Sequence, residues 1–338
     1  MLNIHGYKDP NLLPNNRCVA IATLQATERR LLRDERHAQL YSNQIQDMLD
    51  RHAAREISGS ELIGYRGAKF YISHHAVMKP DSKSTPCRIV FNSSAKYHGY
   101  SLNDFLAKGP SLLNRLIGIL LRFRQHKVGF IGDISKMFHS IEIPVADQMT
   151  HLFLLRNLNV HAKPSTYAMT RVNMGDRPSS AIAQTALRNT SMEAADAFPM
   201  ELSIIQNDSY MDDIPGSLEN VEVAQIAMNN IESILRKKGF NIKEWIWSGA
   251  KPVVKQGTNN DQRTVQLMMN SSEQLISEKV LGLQWDVKGD CLTYTFGADK
   301  WKNKSKKVSK RQILSATSSI YDPLGLVTPI TVKAKMIL

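Results

Sequence analysis

SYMDDI, residues Ser209–Ile214, sets two aspartates side by side behind a tyrosine and a methionine. A chain of 338 residues contains about one Asp-Asp pair by chance. Taken alone, Asp212 and Asp213 are therefore equally an exposed turn or a metal site. The flanks decide between them. SIIQNDSYMDDIPGSL, residues 203–218, reads as strand, turn, strand, with the pair at the turn. Upstream, VGFIGDI (Val128–Ile134) has the composition of a short buried strand that closes on a third carboxylate, Asp133. Between them, Asp176–Ala197 reads as a helix. Pro178 falls in its first turn, where a missing N–H costs nothing. Ser179, Ser180, Ala181 and Ala183 are small enough to let that helix lie close on a sheet. Val223, Ile226, Ala227, Asn230, Ile231, Ile234 and Leu235 recur at helical spacing, and Gly239 ends the run. The order strand, helix, hairpin, helix, strand predicts an α+β layer: antiparallel strands covered by helices on one face.

That order permits a specific chemistry. Adjacent strands lie ~4.8 Å apart, so a hairpin pairing beside the Asp133 strand lets the carboxylates converge. Acidic side chains held together are costly without cations, and Mg²⁺ takes a few carboxylates, water and substrate phosphates. Two such ions ~3.5–4 Å apart stabilise both the attacking and the leaving oxygen of a phosphoryl transfer. The chain carries a net charge of +12, from 43 basic and 31 acidic residues, which attracts phosphate backbones or simply marks a basic protein. Its densest basic run, Asp299–Arg311, is either a solvated linker or a loop near a duplex.

The remaining chain reads as follows. Residues 19–56 are helical, with Tyr41, Ile45, Met48, Leu49 and His52 on one face. KFYISHHAVMKP and CRIVFN are short strands split by KPDSKSTP, which has the residues of a hairpin turn. Ser111–His126 is an apolar helix. HSIEIP, LFLLRN and TYAMTRVN are strand candidates between residues 139 and 173. His74 and His75 are adjacent on a strand and point to opposite faces, so they are read as structural or template-contacting rather than as joint metal ligands. Cys18, Cys87 and Cys291 have no CxxC spacing, which indicates neither zinc nor a disulfide framework and suits a reducing compartment. The longest apolar run, Leu116–Leu121, is too short to span a bilayer, and MLNIHGYKDP does not resemble a signal peptide. The expected location is intracellular and cytoplasmic, with no membrane partner.

YMDD at Tyr210–Asp213, with GDISKMF upstream, resembles the palm of a reverse transcriptase. HHAVMKPDSKSTPCRIVFNSSAK, SLNDFLAKGPSLL and the tail KRQILSATSSIYDPLGLVTPITVKAKMIL resemble the polymerases of Bel/Pao-type LTR retrotransposons. The resemblance runs from about Leu12 to the end. It implies a right-hand polymerase. Residues 1–127 would form fingers and residues 128–298 a palm, with a return to the fingers near 145–172 and a primer-grip-like hairpin at 280–296. Residues 299–338 would be linker and truncated thumb. It implies Asp133, Asp212 and Asp213 as the catalytic acids, and these three with the carbonyl of Ile134 as ligands of two Mg²⁺ ions, or of Mn²⁺. Asp213 is the outlying ligand of the set.

The same resemblance makes Lys79 and Arg88 the basic clamp on the triphosphate, against exposed hairpin charges as the plainer reading. Phe138, five residues after Asp133, would block the 2′-hydroxyl of an incoming nucleotide; its plainer reading is core packing. Met174 and Gly175, in VNMGDRP, would pack on the nucleotide and templating base, although relatives carry Gln where Met174 stands. Tyr210 and Met211 would lie under the primer end and near the sugar. Lys243 would protonate the leaving pyrophosphate. Leu281 and Gly282, in VLGLQW, would grip the primer, or form a plain buried strand with a glycine bulge. The implied activity is RNA-directed DNA synthesis on a primed RNA or DNA template with dNTPs. The implied parent is a polyprotein with protease, RNase H and integrase regions, housed in the cytoplasm or in virus-like particles. No DTG or DSG protease motif, RNase H or integrase region is recognised in the chain itself. The rival readings are a catalytically inactive nucleic-acid-binding fragment and an RNA-dependent RNA polymerase, the latter disfavoured by Phe138.

Overall fold

A computed structural model describes residues 8–79, 86–248, 277–294 and 309–337. In chain order it contains α1 (Arg17–Leu31), α2 (Glu35–Asp50), β1 (Ala54–Glu56), α3 (Gly59–Gly64), β2 (Ser73–Met78), β3 (Cys87–Asn92) and α4 (Leu116–Phe123). Then follow β4 (Val128–Ser135), β5 (Leu152–Leu155), β6 (Ser165–Met169), α5 (Ser179–Met192), α6 (Pro199–Asp208), β7 (Asp213–Leu218), α7 (Val221–Arg236) and β8 (Asn241–Trp247). The last elements are β9 (Ser277–Val280), β10 (Leu283–Asp286), β11 (Cys291–Thr293), α8 (Lys310–Ser318) and α9 (Thr328–Ile337). The chain divides into two units, residues 1–112 with 136–186 and residues 113–135 with 187–338.

The first unit holds an antiparallel sheet in the order β1-β6-β5 and the hairpin β2-β3. Residues 19–56, expected as continuous helix, break after Leu31. Asp34 accepts a hydrogen bond from the backbone N–H of His37 and caps α2 as a new helix. Of the expected face Tyr41, Ile45 and Met48 are buried, but His52 lies beyond the helix end, exposed at φ 54°, and residues 54–56 form strand β1 rather than helix. Inside this unit His74 is buried, its Nε2 lying 2.6 Å from the Tyr41 hydroxyl and its ring packed on Phe91 and Phe153. The structural reading of His74 therefore holds. Burial pushes its pKa down to about 4, and the neighbouring His75 adds to the effect. HSIEIP is not a strand: residues 137–140 make a 3₁₀ turn, and only Glu142 bridges to Arg171.

In the second unit, β4 is the centre of an antiparallel sheet in the order β7-β4-β8. Alternation along β4 sends Phe130, Gly132 and Ile134 to one face and Ile131 and Asp133 to the other. Two glycines admit aromatic rings on the first face: a Cβ on Gly132 would lie 2.6 Å from the Trp245 ring, and one on Gly216 would lie 2.5 Å from Phe130. Helix α7 packs on all three strands and buries Ala224, Ala227, Met228, Ile231, Ile234 and Leu235. Ile131 joins Ile119, Leu120 and Phe123 of α4 and Val280, Leu281, Leu283 and Trp285 in one cluster. Each such fully buried side chain contributes about 1.5–3 kcal/mol. Helix α4 starts at Leu116 rather than at Ser111.

The expected strand over Ser203–Asp208 is instead the end of a helix. α6 opens with Pro199 in its first turn and buries Glu201, Ile204, Ile205 and Asp208, a helical spacing. The Glu201 carboxylate accepts a hydrogen bond from Asn230 at 2.8 Å. The apolar pair Ile204-Ile205 looks like a strand only when those polar anchors are ignored. Helix α5 begins at Ser179, later than expected, because Asp176 is held outside it.

Candidate functional site

The Asp-Asp turn joins α6 to β7. The Tyr210 N–H donates to the Asp213 carbonyl at 2.9 Å and the Asp213 N–H to the Tyr210 carbonyl at 3.1 Å, closing a two-residue turn. Met211 sits in it at φ 56°, a left-handed conformation that costs a side-chain-bearing residue about 1–2 kcal/mol. Asp213 then begins β7 and pairs directly with Asp133 on β4, so the two side chains lie on the same face of the sheet. The Ile134 N–H donates to the Asp212 carbonyl at 2.8 Å. Asp212 is exposed, whereas Asp133 and Asp213 are half-buried.

The electrostatics are those of crowded like charges. Burial pushes the pKa of Asp213 up to about 7, and the charges of Asp212 and Asp133 push the same way. Burial likewise raises Asp133, helped by Asp212 and Glu244 and opposed by Lys243. Lys243 and Glu244 reach Asp133 through a β-bulge. The β4–β8 register shifts between Gly132 and Ile134, so these two residues stand opposite the single Asp133. Glu278 belongs to the same field, raised by burial and then by Glu244. Neither glutamate was found from the sequence, because neither a bulge nor the neighbour supplied by β9 has a local signal in NIKEW.

Carboxylate and backbone carbonyl oxygens are the donors a hard divalent cation takes. The repulsion just described is what such a cation would relieve. Among the described residues, however, no group of three or more His, Cys, Asp or Glu side chains is arranged to hold a metal ion.

Leu281 and Gly282 form the two-residue connection between β9 and β10, with φ of 49° and 90°. A Cβ on Gly282 would meet the Tyr321 ring at 2.7 Å, so glycine is required there by packing as well as by conformation. Leu281 is buried in the cluster with Ile131, against which Tyr210 also packs. Of the expected hairpin at 280–296, residues 295–296 lie outside the described residues, as does most of the basic run at 299–311.

The other expected site residues fall in the first unit. Lys79 and Arg88 are both exposed at the same end of the β2–β3 hairpin, where the Lys79 N–H donates to the Pro86 carbonyl at 2.7 Å. Phe138 is buried in the 3₁₀ turn that follows β4. Met174 is 71% exposed. Gly175 makes its close approach to the protein's own backbone: a Cβ would lie 2.4 Å from the Phe91 carbonyl oxygen. Beneath this loop lies a buried polar group that is not legible in the sequence. His151 Nε2 lies 3.2 Å from Asp176 Oδ2, while Ser93 Oγ and Asn173 Nδ2 donate to Asp176 Oδ1 at 2.5 and 3.0 Å.

A family model described as Pao retrotransposon-like RNaseH-like domain matches residues 309–338, which hold α8 and α9. No RNase H region was expected from the sequence, which placed these residues in a truncated thumb. Among curated proteins none matches. The foamy viral protease-reverse transcriptase dRH in complex with ds DNA matches at TM-score 0.53 and 17% identity, over 94% of this chain and 43% of that one. The foamy viral protease-reverse transcriptase in complex with dsDNA matches at TM-score 0.49 and 17% identity, over 81% of this chain and 45% of that one. The chain thus spans less than half the length of these structures. It is a mixed α/β protein similar in fold to a retroviral protease-reverse transcriptase, and residues 309–338 are similar to a retrotransposon family.

Proposed function

We propose that the chain is an RNA-directed DNA polymerase of Bel/Pao retrotransposon type, built as a right hand, which adds dNTPs to a primer 3′-OH. The observation that carries this reading is the direct β4–β7 pairing of Asp133 with Asp213, beside a turn that presents Asp212. Asp133, Asp212, Asp213 and the Ile134 carbonyl are the proposed holders of two Mg²⁺ ions, with Mn²⁺ as a substitute. Bound there, the ions would neutralise charge developing on the attacking and leaving oxygens. The chain's own part is chiefly positioning. The 3′-oxygen bonds to the α-phosphorus as the bond to pyrophosphate breaks, and Lys243 is the proposed proton donor to that leaving group. Lys79 and Arg88 would bind the triphosphate, Phe138 would exclude the ribose 2′-hydroxyl, and Met174 and Gly175 would face the nucleotide. Tyr210, Met211, Leu281 and Gly282 would support the primer end on an RNA or DNA template. A parent polyprotein with protease, RNase H and integrase regions, acting in the cytoplasm or in virus-like particles, completes the proposal. No helix among the described residues is long and apolar enough to cross a membrane.

A second reading, a catalytically inactive nucleic-acid-binding fragment, is favoured by one observation: the lack, among the described residues, of a three-ligand acidic group. Primer extension on poly(rA)–oligo(dT) with dTTP, in Mg²⁺ and then Mn²⁺, separates the two. Extension that depends on metal and is lost in Asp212→Asn, Asp213→Asn supports the polymerase. No extension by folded protein that binds the duplex selects the inactive fragment.

A further inference from the structure

The turn that carries Asp212 and Asp213 is fixed on its β7 side by pairing with β4. Its other side is the C-terminus of α6, and a helix end leaves its last carbonyls without partners inside the helix. Here those carbonyls are taken by side chains from just before and within α4. The Asn114 amide donates through Nδ2 to the carbonyls of Gln206, at 2.9 Å, and Ser209, at 3.0 Å. Arg122 donates through Nη2 to the Asn207 carbonyl at 2.5 Å and through Nε to Asp208 Oδ1. The orientation of the Asn114 amide is itself set, because Arg188 Nη2 donates to its Oδ1 at 3.2 Å. Gln206 is tied in turn to α5, donating to the Arg188 carbonyl at 3.1 Å and to Ser191 Oγ at 2.8 Å.

Ser209 is fully buried and extended at ψ 141°, so the chain leaves α6 abruptly. The next residue, Tyr210, already belongs to the closed turn. One amide therefore joins the last turn of the helix to the residue that launches the Asp-Asp turn. A shift of Ser209 moves Tyr210, and with it the paired Tyr210–Asp213 hydrogen bonds that close the turn.

We propose that Asn114 is a positioning residue for Asp212 and Asp213, clamping the α6 exit so that the turn holds them at a fixed place against Asp133; Arg122 holds the adjoining carbonyl. The proposal rests on the polymerase reading for its consequence in catalysis, but not for its consequence in structure.

Asn114→Asp tests it. Asp is nearly the same shape and keeps an acceptor for Arg188, but it offers no donor and sets a negative charge against two carbonyl oxygens. Three quantities are measured on the full chain: primer extension, duplex affinity with thermal melting, and hydrogen exchange at the Tyr210 and Asp213 amides. The expected result is a fall in kcat of roughly tenfold or more, from two lost hydrogen bonds. KM for dTTP and duplex affinity stay near wild type, and both amides exchange faster. Wild-type kcat and unchanged exchange overturn the proposal. If Asn114→Asp does not fold, Arg122→Lys, which keeps a charge for Asp208, carries the test by the same readouts. If the wild-type chain shows no extension, the polymerase reading fails. The clamp is then judged by exchange alone: faster exchange in the variant supports it and unchanged exchange overturns it.

Discussion

Asp176→Asn is the most informative single change outside the acidic turn. In the native unit the Asp176 side chain is 4% exposed and accepts from Ser93, Asn173 and His151. Burial alone would raise its pKa, but the charge and hydrogen bond of His151, with those of Ser93 and Asn173, carry the net shift down. Burial alone would lower His151, but Asp176 and then the Asp147 carbonyl carry it up. The signs fix a window. The His151 contribution is complete below its unfolded pKa of about 6.5 and fades as pH rises through its higher folded value. The Asp176 contribution is complete above its unfolded pKa of about 3.9 and fades as pH falls through its lower folded value. The pair therefore stabilises most between those limits.

Asparagine keeps the shape and a carbonyl for two donors. The two hydrogen bonds to that carbonyl lose about 1 kcal/mol each as the acceptor becomes neutral, and the one from protonated His151 Nε2 is lost outright against the amide N–H, for a total of about 4 kcal/mol. That agrees with the about 3–5 kcal/mol cost of removing one partner of a buried pair. At high pH the deficit shrinks to about 1 kcal/mol, because neutral His151 can donate from Nδ1 to the Asp147 carbonyl, 3.0 Å away, and accept at Nε2 from the new amide. Urea denaturation followed by circular dichroism, at about pH 6 and about pH 9, measures the difference. A destabilisation equal at both pH values, or below about 1 kcal/mol at the lower one, would refute the charged pair.

Three further outcomes are expected. As pH falls from about 6.5 to about 4 the unfolded chain takes up a proton at His74 that the folded chain refuses, so stability should drop by about 3 kcal/mol; urea titrations of wild type and His74→Leu should show that slope only in the former. Gly175→Ala forces Phe91 or the loop to move and should cost about 1–3 kcal/mol in thermal or urea unfolding; a neutral result would mean the loop gives way freely. On the proposed polymerase reading, in which Phe138 is the sugar gate, Phe138→Ala should raise incorporation of NTP relative to dNTP by roughly tenfold or more. Because Phe138 is buried, the same change costs about 3–5 kcal/mol of stability, and melting must be measured beside it. Unchanged sugar selectivity in folded variant removes the gate.

What was legible in the sequence had a local signature. The Val128–Ile134 run is a strand because it is short and apolar except for Asp133, and α7 is a helix because its apolar residues recur at 3.6. The β2–β3 hairpin followed from two short β-rich runs. What stayed hidden depends on partners far along the chain. α6 passes for a strand until Glu201 finds Asn230. Asp176 passes for the first residue of a helix until His151 holds it outside. Asn114 has no motif at all, and its use appears only when the α6 carbonyls arrive beside it. The bulge that turns Lys243 and Glu244 toward Asp133 is a mismatch of register between two strands, which neither strand encodes alone. The Asp133–Asp213 pairing was anticipated as a possibility of adjacent strands and is found as a direct register.

The aromatic rings that cover the glycines of the central sheet have a practical consequence. Trp245 lies over Gly132, Trp285 fills the α4 cluster, and the tryptophans among the described residues, Trp245, Trp247 and Trp285, all belong to the second unit; Trp301 also falls outside the sequence of the first. The first unit has tyrosines but no indole. Selective excitation of indole therefore gives a fluorescence signal from the acidic-turn unit alone, while total circular dichroism reports both. If the two signals melt together the units unfold as one cooperative body; if they part, each transition is already assigned without adding a label.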